Sequence, residues 1–477
     1  MKDAPNTRLA TWFRKTERPL RIEWIALGLF AFLFLISYTY GDIIITTRHG
    51  MRLWDCLFQG RLLDFYHYNS AVLPQNSVFN TPQSTAYDFT VYLIFALWNL
   101  PLWILERLFQ IPVTDNFFCL IRPKLLLVLA AVLSAGSIKR IARLLGLGET
   151  AKRWAPFVWC SSALVCSSLL MISQYDIFSL FFILLGFEAY LEFDTKKFLL
   201  FFAIATSCKY FALLIFLPLV LLRWKKVWQI LLFTIGSFAL TLFWKALFLL
   251  APSGALSQPS LAESLFSTLT VNTQAVGLYP ASLFFVAVIA VCIFAYSRND
   301  EPAQQGKTAL YVSAASMLSF VALTQIYPYW SILVTPFLVL LVFSNRERLK
   351  LNLFLEMGFG LSLVFQQMNF YSFSFSNYLL MPMLWGKLLG TNVTPAEGIG
   401  TTFYYLNLAA PVMTGLSALM LCCAAAMLIF NTPKRMLASQ SLDNRIDRSV
   451  IWVRICLFAL VGLLPIEIGR ASCRERV

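Results

Sequence analysis

The chain has 477 residues, of which 59% are hydrophobic, 16% aromatic and only 13% charged, with a mean hydropathy of +0.70. A soluble domain carries about one quarter charged residues, so a water-soluble globular fold is excluded. Apolar runs of roughly 18 residues or more recur along the chain, each able to cross a hydrocarbon core about 30 Å thick, and predict an all-α polytopic transmembrane bundle rather than a barrel. The formal charge of +14 does not point to nucleic acid, because the basic residues sit in short loops on one side, as in cytoplasmic loops.

Residues 1–21 carry Lys2, Arg8, Arg14, Lys15, Arg18 and Arg21 against Asp3 and Glu17, which places this segment in the cytoplasm. The first apolar run, Ile22–Tyr40, is too long for a signal-peptide core and lacks a small-residue cleavage site, so it reads as an anchor. It runs outward and delivers Asp42 to the outer face. The next cytoplasmic marker is Lys139, Arg140 and Arg143 with Lys152 and Arg153, reached by an inward span over 118–138. Residues 41–117 are therefore expected to form one long extracytoplasmic loop. Within it, Met51–Leu63 reads as an amphipathic helix. The apolar stretch Tyr87–Phe109 reads as interfacial helices interrupted at Pro101, with Trp98 and Trp103 as aromatic anchors.

The remaining spans alternate. Residues 154–172 go out and 177–193 return to Asp194–Lys197. A short pair, 198–209 and 210–222, meets at a polar kink around Lys209 and ends at Arg223–Lys226. Residues 227–250 go out to a loop at 252–278, 279–297 return to Arg298, 308–325 go out, and 328–344 return to Arg346–Arg348. Residues 351–369 go out to a loop at 371–402, 403–430 return to Lys434 and Arg435, and 451–467 go out. The total is about thirteen crossings, each judged against the length of a membrane span. Residues 22–345 are read as a membrane catalytic module and 346–468 as C-terminal membrane helices. The tail at 469–477 loses periodicity, is not expected to continue the last helix, and reads as non-native sequence. No internal repeat or soluble domain is visible. Most cysteines, Cys160, Cys166 and Cys208 among them, lie in apolar runs and behave as small hydrophobes. No disulfide framework or metal-ligand spacing is evident. Asn392-Val393-Thr394 fits a glycosylation sequon and is given no role.

Sorted by side, the unusual polar groups share the outer face: Asp42; Gln174, Tyr175 and Asp176; Lys209; and Gln325 with Tyr327. His49 and His67 lie in the first loop with Arg48, Arg52, Asp55, Asp64 and Asp88. Each has a plainer reading. Asp42 can flank a helix end, Asp176 can cap one, Lys209 can snorkel to head groups, Gln325 and Tyr327 can belong to an interfacial belt, and the histidines can be ordinary loop residues. Their occurrence together on one side favours a site.

The chemistry that fits is glycosyl transfer outside the cytoplasm. Nucleotide sugars are absent there, and a polyprenyl-phosphate sugar needs a membrane groove for its tail. An acceptor hydroxyl needs a carboxylate base within hydrogen-bond reach. The leaving lipid phosphate gains charge as the bond breaks, so a fixed cation stabilises the transition state. Asp42 supplies the base, and Lys209, with Arg48 or Arg52, the cation.

Four stretches carry a resemblance. They are Gly60-Arg61-Leu62-Leu63-Asp64-Phe65-Tyr66 after an Asp that follows the first helix, Ser173-Gln174-Tyr175-Asp176, Cys208-Lys209-Tyr210-Phe211 through Pro218, and Gln325 through Pro336. In order and membrane side the chain resembles the GT-C glycosyltransferases over roughly residues 20–345, in particular bacterial polyprenyl-phosphate-mannose-type enzymes related to the glycosylphosphatidylinositol mannosyltransferases. The resemblance implies inverting transfer without a metal cofactor. It implies Asp42 as base, with Asp176 and Lys209 contacting donor phosphate or acceptor. Taken with the charge map, Asp42 and Asp176 are read as catalytic, and His49, Gln174, Tyr175, Gln325 and Tyr327 as substrate contacts. The partners implied are a polyprenyl-phosphate sugar, an extracytoplasmic glycan or lipid acceptor, and the bilayer. Many such enzymes pair two acids in the first loop; here Asp42 has no adjacent acid, and Asp55 or Asp64 would supply the second if one is needed. The rival readings are a lipid-linked-glycan transporter or flippase, expected to place charges near the midplane, and a polysaccharide polymerase or ligase, expected to carry its large loop late.

Overall fold

The computed structural model describes residues 15–71, 85, 87–111, 117–250, 269–276, 279–370, 409–434, 436 and 445–474. The expectations for residues 1–14, for most of the loop at 252–278, for the loop at 371–402 with its sequon, and for Arg435 fall wholly or partly outside the described residues. The described residues are helical nearly throughout. A short strand β1 (Lys15–Thr16) leads into α1 (Arg21–Ser37), where the Glu23 carboxylate accepts from the Leu20 N–H at 2.7 Å and caps the helix start. After three extended residues, α2 (Gly41–Phe58) leaves at 71° to α1. Then come a 3₁₀ turn at Leu62–Asp64, α3 (Phe65–Ala71), α4 (Phe89–Phe109) and α5 (Phe117–Leu144).

Next, α6 (Glu149–Cys160) gives way to a single helical turn at Ala163–Val165 and a π-helical turn at Cys166–Met171. An antiparallel pair follows, α7 (Asp176–Leu191) and α8 (Thr195–Cys208). A 3₁₀ turn at Tyr210–Ala212 leads to α9 (Leu213–Arg223), and α10 (Val227–Ser237) bends by 50° into α11 (Ala239–Phe248). A hairpin of β2 (Thr273–Val276) and β3 (Tyr279–Ser282) precedes α12 (Leu283–Ser297) and α13 (Pro302–Leu323). A 3₁₀ turn at Pro328–Leu333 runs into α14 (Thr335–Ser344), followed by α15 (Leu349–Phe370) and α16 (Ala409–Phe430). Finally β4 (Ile446–Asp447) pairs antiparallel with β1, and α17 (Arg448–Arg474) ends the described chain.

Among the described residues five helices are long and apolar enough to cross a membrane, and up to eight if each bent pair counts as one span, so several long apolar helices mark a multi-pass membrane protein. Helices stand at the expected span positions, but not all reach spanning length, so five to eight spans stand where about thirteen are expected; one of the five is α4, which is expected to be interfacial. The 15-residue α12 covers only about 22 Å of a core about 30 Å thick. The segments Pro328–Ser344 and Arg346–Phe370 meet at 101°, short of the reversal that two antiparallel crossings require.

Two local expectations need correction. Pro101 does not interrupt α4, which is continuous from Phe89 to Phe109. Proline frees the carbonyl four residues back, here that of Leu97, which is 60% exposed, so the freed oxygen lies at the open side of the helix. Likewise α17 does not stop at Ile468 but continues to Arg474, through arginine and alanine residues that favour helix without apolar periodicity. A second proline shows the alternative solution. Pro218 inside α9 frees the Leu214 carbonyl, and the Ser316 hydroxyl of α13 donates to it at 2.6 Å, as buried membrane helices require.

α4 packs along α2. At Gly50 a Cβ would lie 2.9 Å from the backbone of Phe95 and Ala96, so the two helices touch backbone to backbone. Trp98 and Trp103 tie α4 to its neighbours instead of standing free. The Trp98 indole donates to the Arg122 carbonyl at 2.9 Å, and the Trp103 indole to Asp55 at 2.8 Å. The nine cysteines whose side chains are described are all free.

These contacts make two tests. By helix propensity alone Gly50→Ala should stabilise by about 1 kcal/mol. The backbone contact reverses the sign, and a fall of several degrees in thermal unfolding of detergent-solubilised protein is expected; a rise would show the helices stand apart. An outward loop from 41 to 117 puts both ends of α4 on one side, so cysteines introduced at Asn80, before α4, and at the exposed Gln110, after it, should both react with an impermeant thiol reagent added outside. Labelling of one alone would make α4 a crossing.

Candidate functional site

Asp42 lies in the first turn of α2 and Asp176 is the first residue of α7. Each carboxylate thus sits at the positive end of a helix dipole. Lys209 occupies the opposite kind of position, closing the C-terminus of α8 in extended conformation before the turn at Tyr210–Ala212. Because α7 and α8 are antiparallel neighbours, Asp176 and Lys209 meet at the same end, with Nζ 3.0 Å from Oδ1. Neither oxygen of Asp176 is in a directed hydrogen bond, so the pair is held by charge.

Gln174 joins this pair to Asp42. Its amide Nε2 donates to Asp42 Oδ2 at 2.6 Å, across 132 residues of sequence. The backbone reaches this position through Ser173, a buried non-glycine residue at φ 58°, a left-handed conformation that costs about 1–3 kcal/mol and occurs where a site needs it. The π-helical turn before it is stapled to the fourth turn of the site: Ser168 Oγ lies 3.1 Å from the Pro328 carbonyl, to which it donates, and 3.0 Å from Ser331 Oγ. The turns of Asp42, Gln174–Asp176, Lys209 and Pro328–Leu333 therefore converge, as their common side predicts.

Aromatic rings wall this group. Lys209 Nζ stands 5.3 Å from the Tyr87 ring, 5.4 Å from Trp330 and 5.7 Å from Tyr329, within the range of cation–π attraction. Tyr87 meets Tyr175 edge-on at 4.8 Å, and Tyr327 stacks on Tyr329 at 5.6 Å. Tyr87 and Tyr329 are both within electrostatic reach of Asp42 and Asp176. Ser173 Oγ, Gln174 Oε1, Thr206 Oγ1 and Trp330 Nε1 are buried with no hydrogen-bond partner among the described residues.

Other expected site residues lie elsewhere. Gln325 is half-buried beside the buried Ile326, at the edge of the turn that carries Tyr327. His49 is buried edge-on to Tyr92 at 5.6 Å. Arg48 and Arg52 stand about 9 and 15 Å beyond Asp42 along α2 at helical rise, and both act electrostatically on Glu106 of α4. Asp55 belongs to that second group, bonded by Trp103 and paired with Arg107 at 2.6 Å. Asp64 lies in the 3₁₀ turn after α2. Arg48, Arg52, Asp55 and Asp64 are thus not brought to Asp42.

Three further residues matter: the charge map gives Asp88 only a place in the first loop and does not single out Tyr87 or Lys124. Tyr87 forms one wall. Asp88, beside it, accepts from the hydroxyls of Tyr210 and Thr241, each at 3.1 Å. Burial holds its carboxyl above the ordinary value, against the opposing pull of Lys245, Thr241 and Tyr210. Lys124, fully buried in α5, donates to the carbonyls of Leu35 and Tyr38 and reaches the Leu170 carbonyl at 3.4 Å. It pins the break between α1 and α2 to the π-helical turn, directly behind Asp42 and Gln174. Its only advance signal is a cation placed six residues inside the expected span at 118–138.

Among the described residues, no group of three or more His, Cys, Asp or Glu side chains is placed to hold a metal ion. Removing one member of a buried ion pair typically costs about 3–5 kcal/mol, whereas replacing both with apolar residues is often near neutral. Asp176→Asn and Lys209→Met should each lower the unfolding temperature, and Asp176→Leu with Lys209→Met should regain most of the loss. Additive losses would show that the two charges are not coupled. Compared with known proteins, the chain matches no family model and no curated relative.

Proposed function

We propose that this protein is a membrane glycosyltransferase that moves a sugar from a polyprenyl-phosphate donor to an extracytoplasmic hydroxyl acceptor. The observation that carries the reading is the meeting of Asp42, Gln174, Asp176 and Lys209 from separate turns in one aromatic-walled group. It combines a positioned carboxylate with a fixed cation, the pair of groups that sugar transfer to a hydroxyl requires.

In this reading the acceptor oxygen attacks the anomeric carbon and its proton passes to the Asp42 carboxylate. The bond from that carbon to the phosphate oxygen breaks, and the electron pair leaves with the lipid phosphate. Gln174 fixes the rotation of Asp42. Lys209 faces the charge that develops on the phosphate, and Asp176 holds Lys209 in place. Tyr87, Tyr329 and Trp330 present flat faces to a sugar ring. The unpartnered polar atoms of Gln174, Thr206 and Trp330, each costing about 1–3 kcal/mol if left unsatisfied, suit the hydroxyls of a polyol. Arg48 and Arg52 are left outside the reacting group.

A general base contributes about 10²–10⁴-fold to rate. Asp42→Asn, purified and folded, should lose at least about 10²-fold of transfer from polyprenyl-phosphate sugars to a glycan acceptor. Gln174→Ala should fall less, because it frees the rotation of the base without removing it. Wild-type turnover in Asp42→Asn would remove the base assignment.

A further inference from the structure

At the far end of the segment that runs from the aromatic wall, the structure holds a polar cavity. The segment Pro328–Ser344 begins at the aromatic wall and ends just before Arg346. One 3₁₀ turn plus α14 covers about 28 Å at standard rise, close to the hydrocarbon thickness of about 30 Å. The charge map places Arg346–Arg348 on the cytoplasmic side, so this cavity lies at the level of the inner head groups.

The cavity has a volume of about 200 Å³. Segments far apart in sequence build it. β1 brings Lys15 opposite Asp447 of β4, the 3₁₀ turn before α15 brings Arg346 and Glu347, α15 brings Lys350, and the residue before β4 is Arg445. Four cations and two acids line it; Lys350 lies 3.2 Å from Asp447, and Arg445 lies 3.4 Å from Glu17 beside the cavity, which leaves the group with an excess of positive charge. The deeper wall is apolar, formed by Leu349, Leu353 and Val450. A cavity with a cationic rim above an apolar floor, at a membrane surface, has the polarity of a lipid at its head group.

We infer that this cavity binds the phosphate group of an anionic phospholipid, with Arg346, Lys350, Arg445 and Lys15 around the phosphate and the glycerol end against Leu349 and Leu353. Arginine forks suit phosphate oxygens, and basic pockets between membrane helices on the cytoplasmic side are a known setting for lipid head groups. A lipid held there would join the N-terminal strand, α15 and α17, and would brace the bundle at the end opposite the site. The inference rests on the assignment of sides and on the cavity, and it is independent of the proposed sugar transfer.

The test uses the full chain in nanodiscs of phosphatidylcholine with and without phosphatidylglycerol, read by native mass spectrometry and thermal unfolding. Wild-type protein should retain phosphatidylglycerol on ejection from the disc and unfold several degrees higher in its presence. Arg346→Gln with Lys350→Gln should cut retention at least threefold and abolish the shift, whereas Lys196→Gln with Lys197→Gln, elsewhere on the same face, should change neither. Arg445→Gln alone gives the same readout if the double variant does not purify. Equal retention by the Arg346/Lys350 variant and wild type would overturn the site. A thermal shift produced equally by millimolar inorganic phosphate in phosphatidylcholine discs would overturn the lipid and leave a soluble phosphate as the ligand.

Discussion

A charge buried among membrane helices must be satisfied by the protein itself, and the Lys124 ammonium meets this constraint with backbone alone. Its donors go to carbonyls at the end of α1, in the extended link to α2, and in the π-helical turn. One cation thereby fixes three pieces of irregular backbone, which is where the polar side chains of the site begin. The link it holds lets α2 leave α1 at 71° and so keeps Asp42 at a helix start. The turn it holds leads through the left-handed Ser173 to Gln174. The bond between Asp42 and Gln174 closes a polar frame whose back is Lys124.

The same economy governs the other interior charges. Arg454 of α17 and Glu356 of α15 form a buried ion pair, and the arginine also donates to Ser161 Oγ and the Val158 carbonyl at the end of α6. Removing either charge would strand the other. The C-terminal helices are thereby locked to the helix that precedes the π-helical turn. Close approach serves the same end at Gly462, where a Cβ would lie 2.2 Å from the Phe34 ring of α1.

How much of this was legible follows from which residues break the apolar pattern. Asp42, Gln174, Asp176 and Lys209 stand out because charges and amides are rare in such a chain, and basic loops sort them by side. Helix positions follow from the same contrast. The aromatic wall was not legible in full, since Tyr87 and Trp330 sit in sequence where aromatics are ordinary. Lys124 stands beside Arg122 inside the expected span at 118–138, and nothing in the sequence names the backbone carbonyls that receive it. Arg48 and Arg52 were misleading because loop membership does not fix distance along a helix, and α2 carries them away from Asp42. Bends at 71° and 101° arise from tertiary packing and leave no periodic trace.

The hydrogen bond from the Tyr38 hydroxyl to the Gly462 carbonyl at 2.6 Å joins residues 424 positions apart. A ribosome feeding this chain into a bilayer delivers α1 long before α17, and chains generally acquire structure in the order of synthesis. Lys124 and Gln174, which hold the link before Asp42 and Asp42 itself, emerge well ahead of Gly462. The polar frame can therefore close while α1 still lacks one of its packing partners. A nascent chain stalled before Gly462 would carry that frame on an α1 that has not yet met α17.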